Sequence, residues 1–532
     1  MRTLLRVLLL FACTVLVCSA AYAASVTGTV KGPDGAAFRG AFVQAVNTKT
    51  KVTVSVLSDR NGSYTVPDLP AGDYELRIKA TGFRADAKTG VSLVAQQNAN
   101  FDFALQTGMV HWSDLSVYQG SKLLPDGKGK DILFGPCFRC HGFQTRMAPT
   151  ARDLDGWKDR VAYMRDVEHY FLSRQITDEK ADDVANYLNS VFGIDSTLPK
   201  SPAEVPGYKD LVHNFSDEAM NIVYVEYDLP GPSRMPWSGA PDKDGYVWIP
   251  YYGPANRIGR LDPKTGEVKE FRVPMTATAG IHSAVAAPDG TVWIAEQGGN
   301  RVGKWDPKTQ EITEYKDAYL PGKEETTAGG SKHTIRFDAL GNVWSTGDPL
   351  SKLDPKTGKF TDLWDEVPYT YGAAVDASGN IWFTNPSGQY IGTVDAKTMK
   401  VSKWTPPSKG GPRRIQVDTD GTVWFDEFTA GKIGQFDPET QKFKEYDLPG
   451  PSASINAYAL GIDKDHDIWY SSEQLDVIGR LNPKTGKVLE YPFPHSENAM
   501  REFFYDSQGR MWWASPSNNK VGYFYLAAAK TK

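Results

Sequence analysis

A tryptophan-centred repeat fills the C-terminal part of this sequence and restricts its fold more than any other feature. Seven segments resemble Asp-x-x-Gly-x-(Val/Ile)-Trp, and their tryptophans are Trp248, Trp293, Trp344, Trp382, Trp424, Trp469 and Trp512. A second signature such as "IGRLDPKTGEVKEF" follows most of them, so each unit holds two hairpins, or four strands. A spacing of 38 to 51 residues with four strands is typical of a β-propeller. We therefore predict seven blades within residues 222–532.

The last repeat lacks its fourth strand. It stops after "VGYFYL", whereas "VYVEYDLPGP" from Val223 is nearly identical to "FKEYDLPGP" from Phe443. We expect the strand at Val223 to complete the seventh blade, because this closure removes exposed sheet edges.

Residues 1–23 have the features of a cleaved signal peptide. Arg2 and Arg6 precede an apolar run that is too short to span a bilayer, and Ala-Tyr-Ala ends the segment. Cys13 and Cys18 belong to this segment, which leaves one cysteine pair in the mature chain. We predict a periplasmic or secreted protein without an integral membrane segment. The net charge of −5 and the lack of a basic cluster argue against nucleic-acid binding.

Residues 24–106 consist of short alternating runs separated by turn signals, which predicts a small β-sandwich. The stretches "GTVKGPDGAAFRGAFVQAVN" and "SDRNGSYTVPDLPAGDYELRIKATGF" resemble the carboxypeptidase regulatory-like domain. That resemblance implies an accessory or docking module, and this segment shows no catalytic constellation.

Residues 107–200 change to helical periodicity. The stretches "DGWKDRVAYMRDVEHYF" and "TDEKADDVANYLNSVFG" predict two helices, the second with Thr177 as its N-cap and Gly193 at its end. Residues 201–221 are expected to link this small helical domain to the propeller. The predicted fold is thus a mainly β multidomain protein, with a small α-helical domain between the β-sandwich and the propeller.

The remaining cysteine pair stands before these helices as Cys137-x-x-Cys140-His141. A zinc site would need a second Cys/His pair, and a thioredoxin-like disulfide would need a βαβ setting; neither is visible. Cys-x-x-Cys-His matches covalent haem c attachment, in which the thiols of Cys137 and Cys140 bond the haem vinyl groups and His141 ligates the iron. We therefore predict a c-type haem.

The second axial ligand of the iron is less tightly defined. Met147 is too close to His141 to reach across the ring, and His169, beside Glu168, is expected to face water. The pattern from Cys137 to Gly193 resembles small class-I-like cytochromes, and this resemblance implies Met164 as the ligand. A histidine ligand or an open position is the alternative. Methionine ligation would favour electron transfer.

Two registers of the propeller repeat carry polar and aromatic residues that vary from blade to blade. Eleven positions before each repeat tryptophan lie Trp237, His282, His333, Tyr371, Arg413, Tyr458 and Arg501. Three positions after each lie Tyr251, Glu296, Gly347, Asn385, Glu427, Ser472 and Ser515. Both registers are expected at one central mouth, which makes the mouth the candidate binding site.

The residue types at the mouth suggest three kinds of chemistry. His282 with Glu296, and with His333 nearby, could form a base and its orienting partner or a metal site. Arg413 and Arg501 would hold an anionic or carbonyl group. The alternative is a solvent-filled opening that is lined by ion pairs and has no catalytic role.

The propeller segment, in stretches such as "PDGTVWIAE" and "IGRLDPKTG", resembles virginiamycin B lyase (streptogramin lyase) over residues 222–527. This resemblance implies opening of a cyclic depsipeptide by elimination, with a magnesium ion. The family's catalytic histidine and Glu-x-His pair belong to the last two blades, where this chain has Tyr458 and Ser515-Pro516-Ser517. His282 keeps the residue type, but in blade two.

Three functions are compatible with these features. The favoured one is an exported c-type cytochrome protein that carries electrons, of oxidoreductase type, whose propeller binds a small-molecule substrate or a redox partner protein. The second is a carbon–oxygen lyase of the streptogramin B type. The third is a non-enzymatic binding scaffold with a haem relay.

Overall fold

In the computed structural model, the described residues are 23–139, 141–167, 175–253, 256–276, 280–318, 331–450 and 456–527. They form two compact units, residues 23–108 and residues 109–527. The predicted signal peptide, except for its last residue, lies outside the described residues, as do Cys140 and His169. No helix among the described residues is long and apolar enough to cross a membrane.

The first unit is β-sandwich-like, as predicted. One sheet has the strand order Ser63–Leu69, Ala24–Lys31 and Asn98–Asn100, with Phe103–Ala104 also paired to the middle strand. Thr53–Leu57, Phe42–Asn47, Gly72–Lys79 and Lys88–Leu93 follow one another in a second layer. Phe83–Arg84 and Gln106–Thr107 form a short separate pair. Alternate side chains of the first strand are buried, including Val26 and Val30, because successive residues of a strand point to opposite faces.

The second unit opens with four α-helices: α1 (Val117–Leu123), α2 (Lys130–Phe134), α3 (Leu154–Val167) and α4 (Asp178–Phe192). The two helices predicted from periodicity are α3 and α4. The Thr177 hydroxyl accepts a hydrogen bond from the Lys180 amide, 3.4 Å away, and so caps α4 as expected. One face of α4 packs with Trp157 and Phe143 in a shared apolar core.

Six four-stranded antiparallel sheets follow, and four further antiparallel strands complete the seven blades predicted for a propeller. Blade 1 comprises Ala240–Pro241, Val247–Pro250, Arg257–Leu261 and Val268–Arg272; blade 2 comprises Ile281–Ala286, Val292–Glu296, Arg301–Trp305 and Ile312–Lys316. Blade 3 comprises Ser331–Phe337, Val343–Asp348, Ser351–Asp354 and Lys359–Asp362; blade 4 comprises Ala373–Val375, Ile381–Asn385, Tyr390–Val394 and Val401–Trp404. Blade 5 comprises Pro412–Val417, Val423–Glu427, Lys432–Asp437 and Lys442–Asp447; blade 6 comprises Ala457–Ile462, Ile468–Ser472, Val477–Leu481 and Val488–Pro492.

Blade 7 comprises Phe504–Tyr505, Met511–Ser515, Lys520–Leu526 and the early strand Ile222–Asp228. The last two strands pair antiparallel from Ile222–Leu526 to Asp228–Lys520. The predicted closure of the seventh blade is therefore confirmed.

The repeat motif forms the turn between the first and second strands of a blade. In blade 1, Asp242 Oδ1 accepts the amides of Asp244 and Tyr246 at 2.9 and 3.0 Å, while its Oδ2 accepts the Trp248 indole N–H at 2.9 Å. Gly245 takes a φ of 87°, which a residue with a side chain rarely adopts. One aspartate thus fixes both the turn and the tryptophan. The equivalent indole bond recurs at Trp344, Trp382, Trp469 and Trp512.

Candidate functional site

Two candidate sites lie in the second unit, one in the helical segment and one at the propeller mouth. The mouth is the face at which first strands begin and second strands end; the Asp-x-x-Gly turns lie at the opposite face.

The helical segment lines a mainly apolar cavity of about 70 Å³. Cys137, His141 and Met164, all singled out from the sequence, lie on its wall, and so does Met147. The other lining residues are Leu133, Arg146, Arg152, Trp157, Arg160, Val161, Arg165, Ile176, Val184 and Leu188. Four guanidinium groups therefore border an otherwise apolar space, a setting suited to a flat apolar molecule with anionic groups at its edge.

His141 is buried and held in one orientation. Its Nδ1 lies 2.8 Å from the Gly142 carbonyl oxygen, so this nitrogen carries the proton and donates it. Nε2 is thereby left as the nitrogen with a lone pair. Burial and the charge of Arg146 lower the pKa of His141, which favours the neutral imidazole that binds metal ions. Burial also raises the pKa of the Cys137 thiol to about 12.

At the propeller mouth, the predicted ring residues form a connected series. The His282 Nε2 atom accepts a hydrogen bond from the Trp237 indole N–H at 2.7 Å. The His282 and His333 ring centroids are 3.5 Å apart, and His333 lies 4.3 Å from the Tyr371 ring. The Tyr371 hydroxyl is hydrogen-bonded to the Tyr458 hydroxyl. Residues far apart in sequence thus meet at one centre, as expected.

Three guanidinium groups surround Tyr458. The Cζ atoms of Arg413, Arg414 and Arg501 lie 5.4, 5.4 and 4.9 Å from its ring centroid. Arg501 also pairs with Glu473 at 2.9 Å. Burial alone would raise the pKa of Tyr458, but the charges of Arg501, Arg414 and Arg413 outweigh it and lower the pKa. The centre is therefore strongly electropositive.

Backbone bulges aim the mouth residues inward. The pairing of first and second strands shifts register at His282, at His333, at Arg413 and Arg414, and at Tyr458. In blade 5, Asp426 Oδ1 accepts both the Arg413 and Arg414 amides, at 2.8 and 2.5 Å. A bulge breaks the alternation of side chains along a strand. This explains how two consecutive arginines reach one centre, and why Arg414 was missed from the sequence.

In blades 3, 5 and 6 the side chain that holds the bulge has a fixed position in the repeat. It lies two residues after the tryptophan, where Thr346, Asp426 and Ser471 each accept a backbone N–H of the preceding strand. The bulge of blade 2 has Ala295 at this position, so a polar residue there accompanies three of the four bulges.

Glu296 and Glu427 do not join the mouth residues. Both are fully buried; Glu296 lies beside Glu314 and Glu427 beside Glu445, on the fourth strands of blades 2 and 5. Burial, with the second carboxyl nearby, raises the pKa of each to about 8. The predicted pairing of His282 with Glu296 is thus not formed. The bulge at His282 shifts the register, so that Glu296 pairs in the sheet with Ile281 instead of His282.

The helical segment that lines the cavity contacts the propeller loop that leads to Arg501 of the mouth. The Thr145 amide and hydroxyl donate to the Glu497 carboxylate at 3.1 and 2.6 Å, and Ser496 donates to the Ser113 carbonyl at 2.7 Å. Arg501 of the mouth follows four residues after Glu497. The Tyr118 amide also donates to the Gln474 carbonyl at 2.9 Å, next to the Glu473 that pairs with Arg501.

Metal-ligating side chains were also expected at the mouth. In the described part of the chain, three potential ligand atoms come within 4.8 Å of one another only at Asp418, Asp420 and His466. These residues lie in the Asp-x-x-Gly turns, at the face opposite the mouth.

Comparison with known proteins gives matches at both ends of the chain. A family model of the virginiamycin B lyase family matches residues 361–531, and a carboxypeptidase regulatory-like domain model matches residues 25–106. Neither match includes residues 107–200. No curated protein matches the sequence.

Solved structures of lyases resemble the propeller. A streptogramin B lyase structure is 27% identical, with a TM-score of 0.51, and covers 59% of this chain and 100% of its own. Virginiamycin B lyase from Staphylococcus aureus is 22% identical and covers 57% and 100%, also with a TM-score of 0.51. Its catalytically inactive variant with quinupristin is 23% identical, with the same coverage and TM-score. The two resemblances inferred from the sequence are therefore confirmed: a virginiamycin B lyase-like propeller and a carboxypeptidase regulatory-like N-terminal domain.

Proposed function

We propose that this protein is an exported haem c protein that carries electrons, and that its propeller mouth binds the molecule or partner with which it exchanges them. The observation that carries the proposal is the mainly apolar cavity on whose wall Cys137, His141 and Met164 meet. Cys137 and His141 belong to the Cys-x-x-Cys-His motif, and Met164, 23 residues further on, is the ligand that the cytochrome resemblance implies.

The residues of the cavity suit a haem in their types and placement. Cys137 and Cys140 would hold it covalently, and His141 would present Nε2 to the iron because Gly142 fixes the other ring nitrogen. Met164 would supply the second axial ligand. The cavity's four arginines would pair with the haem carboxylates. When bound, haem supplies one-electron redox chemistry.

The position of the cavity segment supports an exchange of electrons with the mouth. Its contacts with Glu497, Ser496 and Gln474 place it on loops of the mouth face. A molecule bound beside Arg501 would therefore be close to the haem segment, without a separate encounter between two proteins.

The test is purification of the exported protein, followed by its reduced absorption spectrum and a haem-stained denaturing gel. We expect covalent haem in the wild type and its loss in Cys140→Ala. Met164→Ala should keep the covalent haem but lower its reduction potential, whereas Met147→Ala should change neither. A wild-type protein that folds and is exported without haem would overturn the proposal.

A second candidate function is cleavage of a carbon–oxygen bond in a cyclic depsipeptide of the streptogramin B type. It is favoured by the family match over residues 361–531 and by the similarity to lyase structures. Tyr458, Ser515 and Ser517 stand where the resemblance implies catalytic residues, so the reaction would need His282 or His333 as its base. Incubation with a streptogramin B, with and without magnesium, tests it. Linear product that disappears in His282→Ala would support the lyase, and unchanged antibiotic would exclude it.

A further inference from the structure

A guanidinium edge inside the mouth lacks a hydrogen-bond partner. Arg414 is only 4% exposed, and its Nη1 atom lies 3.4 Å from the Thr334 hydroxyl. Its Nε and Nη2 atoms are buried and have no hydrogen-bond partner among the described residues. These two atoms form one edge of the guanidinium, the edge that binds a carboxylate through two parallel hydrogen bonds. Burying such donors unpaired is costly, so the edge is suited to an incoming acceptor.

The chain's own carboxylates near this edge are engaged elsewhere. Glu473 pairs with Arg501 at 2.9 Å, and Glu502 pairs with Arg336 at 2.5 Å. Asp426 accepts the backbone amides of Arg413 and Arg414 through one oxygen rather than pairing with their side chains. The positive charge around Tyr458 is therefore only partly compensated.

Aromatic rings flank the guanidinium groups. The Arg413 Cζ atom lies 3.6 Å from the Phe428 ring centroid, and the Arg414 Cζ atom lies 5.3 Å from that of Tyr371. Rings at these distances hold the guanidinium planes in place and offer an apolar surface to the rest of a ligand.

From this geometry we infer that the propeller mouth binds an organic carboxylate, whose two oxygens accept from Nε and Nη2 of Arg414. Arg413 and Arg501 supply further positive charge, and the flanking rings contact the carbon skeleton. The inference deepens the proposed function and rests on it for the redox role, because it names the chemical class of the molecule at the mouth.

The test is isothermal titration of the full-length exported protein with benzoate, with the uncharged benzamide as the matched ligand. We expect one benzoate per chain and no measurable binding of benzamide. Arg414→Lys keeps the charge but loses the paired donors, so benzoate should bind it about tenfold more weakly or worse. Arg272→Gln, an exposed arginine on the outer strand of blade 1, should bind as the wild type does.

Several results would overturn the inference: no benzoate binding by the folded wild type, equal affinity for benzamide, or undiminished binding by Arg414→Lys. Sulfate that binds in place of benzoate would also overturn it, because the site would then select inorganic oxyanions.

Thermal melting of each variant shows that it is folded. Haem spectra of the same preparations separate the two proposals. Failure of benzoate binding with haem present refutes only this inference, and binding without haem refutes only the electron-carrier function.

Discussion

His466 is the one residue that replaces glycine in the seven Asp-x-x-Gly turns. It keeps the left-handed conformation of the glycines, with a φ of 65°. Its Nδ1 lies 2.9 Å from both carboxylate oxygens of Asp418, the aspartate of the neighbouring blade 5 turn. The indole N–H of Trp424, which that aspartate would be expected to accept, is buried and has no hydrogen-bond partner among the described residues. Blade 5 thus gives up an internal bond for a contact with blade 6.

This arrangement predicts that His466→Gly raises the melting temperature. The change removes a side chain from a strained backbone conformation and frees Asp418 to accept the Trp424 indole N–H, as its equivalents do in five other blades. Differential scanning calorimetry measures the effect. The converse change Gly421→His, at the equivalent turn of blade 5 with a φ of 88°, should lower the melting temperature. A lower melting temperature for His466→Gly would contradict the explanation.

Glu296 and Glu427 predict a pH dependence of stability. Their folded-state pKa values of about 8 exceed the ordinary value of 4.5, so the folded protein holds protons that the unfolded chain releases. Their contribution to the free energy of unfolding is complete below pH 4.5 and is lost as the pH rises to about 8. Chemical denaturation across this range should show the decline, and Glu296→Gln/Glu427→Gln should make it shallower. An unchanged slope in the double variant would contradict the assignment.

Among the secondary-structure elements, the strand Ile222–Asp228 joins the two ends of the propeller. It pairs along its whole length with Lys520–Leu526, and Tyr224 within it is fully buried. This strand therefore stabilises the propeller by pairing with a strand far away in the sequence, not by forming a local hairpin.

We predict that Val225→Pro destabilises the propeller by about 1–3 kcal/mol, because proline cannot donate a backbone hydrogen bond and does not fit a paired strand. Val225→Thr, which keeps the β-branched shape and the N–H group, is the control and should lose much less. Urea unfolding followed by tryptophan fluorescence compares the two. Equal stabilities would show that this strand does not close the blade.

At the scale of the whole molecule, the described chain divides at Gly108 into two units, each with its own buried apolar residues. Helices α1–α4 belong to the same unit as the seven blades rather than to a separate body. Residues 107–200, predicted from sequence as a domain of their own, contain an apolar core and also contact propeller loops through Thr145 and Tyr118.

This division predicts that deleting residues 24–106, while keeping the signal segment, leaves the second unit folded. The melting temperature of the propeller should stay within the range of the full chain, and so should the haem absorption per protein that the proposed function predicts, since the described residues of the cavity wall and of the mouth all belong to the second unit. Calorimetry and absorption spectra of the exported protein provide the measurement. Loss of the propeller transition on deletion would contradict the prediction.

Local sequence patterns were sufficient to predict the blades and the closing strand. Asp242 and Trp248 show why, since one aspartate bonds both its own turn and a tryptophan six residues away. Of the residues on the cavity wall, Cys137 and His141 were found from the Cys-x-x-Cys-His motif and Met164 from the resemblance to small cytochromes, whereas the four arginines were not predicted.

Only the tertiary structure decided how the mouth is built. Regular alternation would send Arg414 away from Arg413 and leave Glu296 near His282, yet a bulge held by Asp426 brings both arginines to Tyr458, and sheet pairing sets Glu296 beside Glu314. The contact between Thr145 and Glu497 joins residues 352 positions apart. Repeat spacing describes regular strands, whereas bulges and long-range contacts depend on partners that lie far away in the sequence, and these set the chemistry of the mouth.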